Sequence, residues 1–399
     1  MPESPLRYAA ALEWLFARTR AGDERSRARS IALLALLGRP DRVFKSVHVL
    51  GTNGKGSVSA MLSAGLQRSG SRVGLFTSPH LTDFRERVAV NGELIPESAV
   101  LEFVDWARVH AGSAAFFDLS FVMAMQHFAK SNLTWGVIEA GVGGANDASN
   151  ALSEVALTVL TNVDYDHEAV IGVGPEASVL GNIALEKAGA IRAGVPVVTA
   201  ARGEGLAVIR RVALEREAHL YELGLEQPLF SLPNAPRLRG VHQLENARVA
   251  VAALRLLGQD EAAVSAALEA TWPGRLEVFK RGEQQVWLDG AHNPAGALAL
   301  ATSLTGRFAL LFGAMERKNV PALLEPLLAL CDSLHFVSPG ALGADPHGLA
   351  ARFGGIAHES LETALNATLE AGDRVLIAGS LYLVGAVRAK LLEAGFTTE

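Results

Sequence analysis

The most constraining feature of the sequence is a glycine-rich segment, GTNGKGS at residues 51–57, which lies between an apolar run and a run of small residues. Residues 47–50, which are apolar except for His48, predict a strand, and the residues from Val58 onward predict a helix. Glycines allow consecutive backbone N–H groups to point inward, and a helix N-terminus adds positive potential, so a turn of this kind binds phosphate. Lys55 contributes a mobile positive charge, and the Ser57 hydroxyl is placed to reach Mg²⁺. We call residues 51–57 the phosphate loop.

The sequence of the phosphate loop departs from the common pattern Gly-x-x-x-x-Gly-Lys-Ser/Thr. No glycine lies five positions before Gly54, and Gly56 separates Lys55 from Ser57. An ordinary glycine turn between a strand and a helix is the alternative, but three glycines around a lysine favour nucleotide binding. A kinase, a hydrolase and a ligase all remain open on this segment alone.

Composition narrows the class of protein. A chain of 399 residues is too long for one comfortable hydrophobic core, so two domains are expected. The net charge of −6 argues against a general nucleic-acid or anionic-membrane surface. The chain has a single cysteine, which excludes an internal disulfide framework and favours a reducing compartment. This residue, Cys331, lies in an apolar pattern that predicts a helix. No apolar run reaches membrane-spanning length and the first residues lack a signal-peptide pattern, so we expect a soluble, cytoplasmic protein.

Strands and helices alternate along most of the chain, which predicts an α/β fold with mostly parallel sheets. Two helices, at about residues 6–19 and 28–37, precede the phosphate loop, and Asn91-Gly92 predicts a hairpin. The alternation restarts after the Trp-Pro-Gly-Arg segment at 272–275. We therefore expect an N-terminal ATPase-type domain over residues 1–272 and a smaller, Rossmann-like domain over residues 275–399.

Several polar residues follow predicted strands, where ligands bind in parallel sheets. Ser78, Glu139 and His167 each stand at such a strand end, and together with a phosphate loop they indicate a Mg²⁺ site. Each also has an ordinary alternative as a helix cap, an ion-pair partner or a loop histidine. Spacing alone places Lys187 on a helix surface.

The second domain carries its own polar turn. Asp289 and His292 follow its first predicted strand and suit either a ribose or substrate contact or simple turn chemistry. Arg275 suits either a phosphate contact or a hinge salt bridge.

The chain resembles the folylpolyglutamate synthase / dihydrofolate synthase family of the Mur ligase superfamily over nearly its whole length. The resemblance rests on an ordered set of motifs: GTNGKGS at 51–57, TSPHL at 77–81, EAGVGG at 139–144, DH at 166–167, EKAG at 186–189, PGR at 273–275, DGAHNP at 289–294 and GSLY at 379–382. It implies an ATP-dependent amide ligase that adds L-glutamate to a folate, to 7,8-dihydropteroate, or to both. The reaction would pass through an acyl phosphate, with ATP as co-substrate and two Mg²⁺ ions.

The resemblance also implies roles for residues in this sequence. The implied catalytic residues are Lys55, His167, Lys187 and His292. The implied ATP-binding residues are Asn53, Gly54, Lys55, Gly56, Ser57, Asn246, Arg275 and Asp289. The implied Mg²⁺ ligands are Ser57, Ser78, Glu139, His167 and Lys187, the last as a carbamate. Folate or pterin contacts are implied for Phe117, Asp118, Ala145, Asn146 and Asp147, and glutamate contacts for His292 and Ser380.

The sequence departs from the family pattern on the pterin side. Asp118 stands where the family more often has Glu, Ala145 stands where bifunctional bacterial enzymes have Arg, and the N-terminal substrate loop at residues 23–26 differs. These departures leave a monofunctional folylpolyglutamate synthase, or a related ligase acting on another carboxylate, as the alternative within the class. Outside the class, a P-loop ATPase or a small-molecule kinase remains open. In every case the expected partners are small molecules, and the expected state is a monomer.

Overall fold

The computed structural model describes residues 5–18, 26–225 and 228–399. The chain divides into two compact units. The first contains the described residues up to Ala235 together with Glu245–Ala270, and the second contains Pro236–Leu244 and Thr271–Glu399. Residues 236–244 thus group with the second unit, although the domain boundary predicted from the sequence placed them in the first domain. Residues 23–25 of the predicted substrate loop lie outside the described residues.

The first unit is built on an eight-stranded sheet in the order β4-β3-β2-β5-β1-β6-β7-β8. The strands are β1 (Lys45–Leu50), β2 (Val73–Phe76), β3 (Val88–Val90), β4 (Glu93–Leu94), β5 (Trp135–Glu139), β6 (Val155–Leu160), β7 (Val197–Thr199) and β8 (Leu220–Glu222). All neighbours from β2 to β8 in this order pair in parallel, whereas β3 pairs antiparallel with both β2 and β4 at one edge. In the central strand β1, five of six residues are buried, as expected for a strand covered on both faces.

Helices cover this sheet on both faces. They are α1 (Pro5–Phe16), α2 (Arg27–Leu36), α3 (Lys55–Arg68), α4 (Glu97–His110), α5 (Phe116–Lys130), α6 (Glu168–Ile171), α7 (Val179–Ala188), α8 (Gly203–Glu215), α9 (Val241–Leu256) and α10 (Glu261–Leu268). Of α9, the residues from Glu245 onward belong to this unit. Two apolar clusters form on one face, one around α1, α2, α4 and α5 and the other around α7 and α8. In the described part of the chain, no helix is both long enough and apolar enough to cross a membrane.

The second unit is built on a seven-stranded sheet in the order β13-β12-β11-β14-β10-β9-β15. Its strands are β9 (Glu277–Arg281), β10 (Gln284–Leu288), β11 (Phe308–Phe312), β12 (Cys331–Phe336), β13 (Ile356–Ala357), β14 (Arg374–Ala378) and β15 (Thr397–Thr398). Its helices are α11 (Pro294–Ser303), α12 (Val320–Leu328), α13 (Pro346–Phe353), α14 (Leu361–Glu370) and α15 (Leu381–Glu393). The strands β13, β12, β11, β14 and β10 pair in parallel, whereas β9 pairs antiparallel with both β10 and β15.

The architecture confirms the predicted pair of mostly parallel α/β units. The hairpin is also confirmed, since Asn91 and Gly92 take φ of 50° and 82° between β3 and β4. The helical interpretation of Cys331 is wrong, because α12 ends at Leu328 and Cys331 is the first residue of β12. The apolar run there continues from helix to strand without a break in hydrophobicity, so its composition does not mark the change.

Candidate active site

Four loops that carry the predicted ligands follow neighbouring strands of the first sheet. The strands β2, β5, β1 and β6 are adjacent and parallel, so their carboxyl ends lie at one edge. At this edge the backbone N–H of Ser78 donates to Glu139 Oε2 over 3.3 Å. The structure therefore brings the loops of Ser78, Glu139, the phosphate loop and His167 together.

Hydrogen bonds of half-buried and buried side chains hold the phosphate loop in shape. Lys55 Nζ donates to the carbonyl oxygens of Gly51 at 3.2 Å and Thr52 at 3.0 Å. The backbone N–H of Asn53 donates to Asn162 Oδ1 over 2.8 Å. The Thr161 hydroxyl donates to the Asn53 carbonyl over 2.6 Å. Sequence reasoning missed Thr161 and Asn162, although their position directly after β6 is the signal that could have found them.

Two glycines of the phosphate loop are required by space as well as by backbone angle. Gly51 has φ of 140°, and a Cβ there would lie 1.8 Å from Thr161 Oγ1. Gly54 has φ of 84°, and a Cβ there would lie 2.2 Å from Asn246 Oδ1. The structure thus places Asn246, predicted to contact ATP, directly against the loop.

Lys187 lies inside the first unit, so the helix-surface placement that its spacing favoured is wrong. Its side chain is buried, and Nζ donates to the Gly51 carbonyl over 2.8 Å. Burial, followed by repulsion from the Lys55 ammonium, lowers the pKa of Lys187 to about 7, against opposing attraction from nearby carboxylates including Asp166 and Asp147. A lysine with such a pKa presents a substantial fraction of neutral, nucleophilic amine near neutral pH.

His167 sits in a tight turn at the end of the β6 loop. Its φ is 53°, in the left-handed region, and its N–H donates to Asp166 Oδ1 over 2.8 Å. The imidazole Nε2 lies 3.8 Å from Asp166 Oδ2. The His167 backbone is thus tied to the Asp166 carboxylate.

The donors at this edge suit a hard divalent cation. Glu139 is buried and Ser57 is 1% exposed, and both offer oxygen, the ligand atom that Mg²⁺ prefers. Within the ranges that the structure describes, no three His, Cys, Asp or Glu side chains form a metal-binding group. The implied ligand set is consistent with this, because Glu139 and His167 are its only members of those four types.

The residues implied on the pterin side occupy two different settings. Phe117 packs its ring against Gly141, where a Cβ would lie 2.6 Å from Phe117 Cζ. Asp118 is buried, forms an ion pair with Arg29 at 2.8 Å, and accepts the Ala115 N–H at 3.0 Å as part of the cap of α5. The Asp118 carboxylate therefore holds α2 and α5 together.

The 141–147 loop lies against the end of α7. The backbone N–H of Ala145 donates to the Glu186 carbonyl over 2.8 Å, and the N–H of Asn146 donates to Glu186 Oε1 over 3.2 Å. A Cβ on Gly189 would lie 2.5 Å from the Ala145 methyl group. The loop is thereby fixed next to Lys187, which follows Glu186 in the chain.

The predicted residues of the second unit lie at the carboxyl edge of its own sheet. Asp289 accepts the N–H groups of Leu276 at 2.9 Å and Ala291 at 2.8 Å. Arg275 Nη1 donates to the Gly274 carbonyl over 3.1 Å. Asp289 therefore links the segment before β9 to the turn after β10.

His292 and Ser380 follow the adjacent parallel strands β10 and β14. The Nδ1 atom of His292 lies 2.8 Å from the Gly290 carbonyl, and Ser380 caps α15 by accepting the Tyr382 N–H at 3.2 Å. The two loops are hydrogen-bonded, from Gly379 N–H to the Ala291 carbonyl. The structure thus brings His292 and Ser380 to one region.

Comparisons with known proteins agree with this arrangement. Residues 274–381 match the family model "Mur ligase, glutamate ligase domain". A dihydrofolate synthase/folylpolyglutamate synthase of Bacillus subtilis is 31% identical and covers 96% of this chain and 99% of its own.

Solved structures match along the whole chain. FolC of E. coli in complex with DHPP and ADP has a TM-score of 0.86 and 27% identity over 99% of both chains. A bifunctional folylpolyglutamate synthase/dihydrofolate synthase of Yersinia pestis, complexed with AMPPNP and a Mn ion, has a TM-score of 0.82 and 27% identity over 98% of this chain and 100% of that one. The protein belongs to the folylpolyglutamate synthase / dihydrofolate synthase family of Mur ligases and is an ATP-dependent ligase.

Proposed function

We propose that this ligase adds L-glutamate to the γ-carboxylate of a folate, to the carboxylate of 7,8-dihydropteroate, or to both. The observation that carries the proposal is the gathering of the phosphate loop, Glu139 and buried Lys187 at one sheet edge, next to the 141–147 loop. The full-length similarity to an enzyme named for both activities supports it.

The chemistry requires activation of a poor electrophile. The acceptor carboxylate attacks the γ-phosphorus of ATP, and ADP leaves with the electrons of the broken bond. The free amine of glutamate then attacks the acyl carbon, loses a proton, and expels inorganic phosphate from the tetrahedral intermediate. Both steps depend on alignment and charge neutralisation more than on a protein nucleophile.

The first unit supplies the phosphate and metal side of this reaction. Residues 53–57 bind the ATP phosphates through backbone N–H groups and the Lys55 ammonium, and Asn246 contacts the nucleotide. Ser57, Ser78, Glu139 and His167 would hold the two Mg²⁺ ions that the resemblance implies. Bound Mg²⁺ would neutralise charge on the transferred phosphoryl group.

Lys187 acts as a carbamate in this proposal. The neutral amine attacks CO₂ and loses a proton, which replaces an ammonium with a carboxylate-like oxygen donor. The lowered pKa of Lys187, about 7, supports the step because it supplies neutral amine near physiological pH.

The remaining roles follow the resemblance. Arg275 and Asp289 contact the nucleotide, while His292 and Ser380 bind the glutamate substrate, with His292 in a catalytic role. Phe117, Asp118 and the loop residues Ala145, Asn146 and Asp147 form the folate side. We further propose that the enzyme is a cytoplasmic monomer that acts on small molecules, without nucleic-acid or membrane partners.

The experiment is phosphate release by the purified protein with ATP and Mg²⁺, measured with and without L-glutamate. We expect release to require both glutamate and an acceptor. Release without either would identify an ATPase, and a stable phosphorylated acceptor would identify a kinase.

Comparison of acceptors separates the two forms of the ligase. Glutamylation of both tetrahydrofolate and dihydropteroate would establish the bifunctional enzyme. Glutamylation of tetrahydrofolate alone would establish a monofunctional folylpolyglutamate synthase, which Ala145 in place of the arginine of bifunctional relatives favours. Activity with neither would direct the search to another carboxylate.

A further inference from the structure

A buried hydrogen-bond relay connects the central strand of the first unit to the 141–147 loop. His48 in β1 is fully buried, and its Nε2 lies 2.8 Å from Ser149 Oγ. The Ser149 hydroxyl donates to Asp147 Oδ1 over 2.5 Å. The other carboxylate oxygen of Asp147 accepts the Val142 N–H at 2.9 Å. The relay therefore runs from His48 through Ser149 to the loop.

The Asp147 carboxylate fixes the direction of hydrogen-bond donation along the relay. A carboxylate can only accept hydrogen bonds, so the Ser149 O–H donates to Asp147. The Ser149 oxygen then accepts from His48 Nε2–H, which leaves His48 Nδ1 without a proton. Burial, followed by repulsion from the Arg192 guanidinium, lowers the pKa of His48 to about 3, so the ring remains neutral near neutral pH. His48 thus acts as a fixed donor.

This arrangement places polar groups where an apolar core would be more stable. His48 pairs with Ile138 on one side and with Thr158 on the other, on the face that carries the two apolar clusters. His48 Nδ1, Ser46 Oγ and Thr158 Oγ1 are buried, and none has a hydrogen-bond partner in the described part of the chain. Each unpaired buried polar group costs stability. Departures of this kind are expected where a function requires them.

The strand that carries His48 also carries the phosphate loop. β1 ends at Leu50, two residues beyond His48, and the phosphate loop begins at Gly51. One rigid element therefore fixes both the loop that we propose for the ATP phosphates and the loop that we propose for the acceptor. Attack on the γ-phosphorus depends on that alignment.

We propose that His48 is a positioning residue for the acceptor, which acts through Ser149 to fix Asp147 and the 141–147 loop against the strand that carries the phosphate loop. The proposal rests on the proposed function, because it takes the 141–147 loop as part of the acceptor site. Neither His48 nor Ser149 needs to touch the substrate.

The experiment compares Michaelis constants of single variants with those of the wild-type enzyme. We expect Ser149→Ala to raise KM for the acceptor about tenfold, as loss of a hydrogen bond to a charged group predicts. KM for ATP should stay within about twofold. Ser149→Thr keeps the hydroxyl and should restore the acceptor KM.

His48 provides a second, independent pair of variants. His48→Gln retains an N–H at a similar distance and should stay close to wild type, whereas His48→Leu should match Ser149→Ala. The double variant His48→Leu/Ser149→Ala should show no further rise, because both changes break one relay. Thr158→Val is the matched control, since it removes a buried, unpaired hydroxyl opposite His48 and should change neither KM.

The outcomes separate this proposal from the proposed function. If the wild-type enzyme glutamylates an acceptor but Ser149→Ala and His48→Leu leave the acceptor KM unchanged, the positioning role is overturned. Equal rises in both KM values, with a lowered melting temperature, would likewise identify a purely structural role. Absence of glutamylation by the wild-type enzyme with any carboxylate acceptor would overturn the proposed function and this proposal with it.

Discussion

Lys55 is the residue whose charge the phosphate loop depends on most directly. Its Nζ donates to the Gly51 and Thr52 carbonyls of the same loop, which we propose as the site for the ATP phosphates. We expect Lys55→Ala to lower turnover by about a hundredfold or more, as removal of a preorganised electrostatic donor does in other enzymes. Circular dichroism should show a folded protein. Lys130→Ala, on an exposed lysine of α5, is the control. Undiminished turnover in Lys55→Ala would refute the phosphate-loop assignment.

Variants of Lys187 test whether its side chain is carbamylated, and not only whether it is charged. Lys187→Ala should lower turnover at least about a hundredfold, because a preorganised charged group is lost. Formate or acetate should restore part of the activity of Lys187→Ala by standing in for the carbamate. Lys187→Arg keeps a positive charge, cannot form the carbamate in the same way, and should stay inactive. An active liganded complex with an unmodified Lys187 in its electron density would contradict the carbamate.

His48 makes a separate prediction about stability in acid. Its pKa falls from 6.5 in the unfolded chain to about 3 in the folded one, so between these values the unfolded chain binds more protons. Stability from this group is therefore complete above pH 6.5 and is lost as pH falls, by about 1.4 kcal/mol per pH unit.

Urea unfolding, followed by tryptophan fluorescence, measures the acid effect. The free energy of unfolding of His48→Gln should fall less steeply between pH 6.5 and pH 4.5 than that of wild type, by roughly the slope of one proton. His110→Gln, which alters an exposed histidine of α4, should keep the wild-type slope. Equal slopes in wild type and His48→Gln would show that His48 protonates in the folded state.

At the scale of single elements, the phosphate loop that connects β1 to α3 lies in close contact with α9. Gly54→Ala would strain a φ of 84° and drive its methyl group into Asn246 of α9. We expect KM for ATP to rise about tenfold or more, because the loop and Asn246 must separate. Gly70→Ala is a matched control, since Gly70 has φ of 81° and open space around its Cβ position. Similar effects in both variants would attribute the change to backbone strain alone.

The sequence predicted the elements that end in ligand loops. The sequence predicted strand β5 ending at Glu139 and the phosphate loop between β1 and α3. Both were predictable because a short apolar run is followed by polar residues where the strand ends. Strands β9 and β15 were missed, because they pair antiparallel at an edge and their short segments lack a long apolar run.

The features that the sequence did not predict depend on contacts between segments that are distant along the chain. Burial of Lys187 requires that α7 carry it to the Gly51 carbonyl, a separation of 136 residues that helical spacing does not express. The link from His48 to Ser149 spans 101 residues in the same way. Spacing within one element reports the face on which a residue lies, and only packing decides what covers that face.

At the scale of the whole molecule, each unit carries its polar residues at the carboxyl edge of its parallel strands. This common placement follows from the α/β architecture, which leaves those loops free for chemistry while the sheets provide rigidity. The motif order that identified the family reflects this, because most of the motifs lie next to a strand end. We propose that the identity of the acceptor depends on fewer residues, such as Ala145, and it does not follow from the architecture.

The central claim is that the acceptor carboxylate is activated as an acyl phosphate before glutamate is added. The most direct measurement uses an acceptor whose carboxylate oxygens carry a heavy isotope, followed by mass spectrometry of the released phosphate and the product. We predict one labelled oxygen in the phosphate. The product should be heavier than the labelled acceptor by one glutamyl residue, less the mass difference of the one label that was transferred, and should keep the other label. Unlabelled phosphate, with the acceptor unchanged, would contradict the account and point to simple ATP hydrolysis.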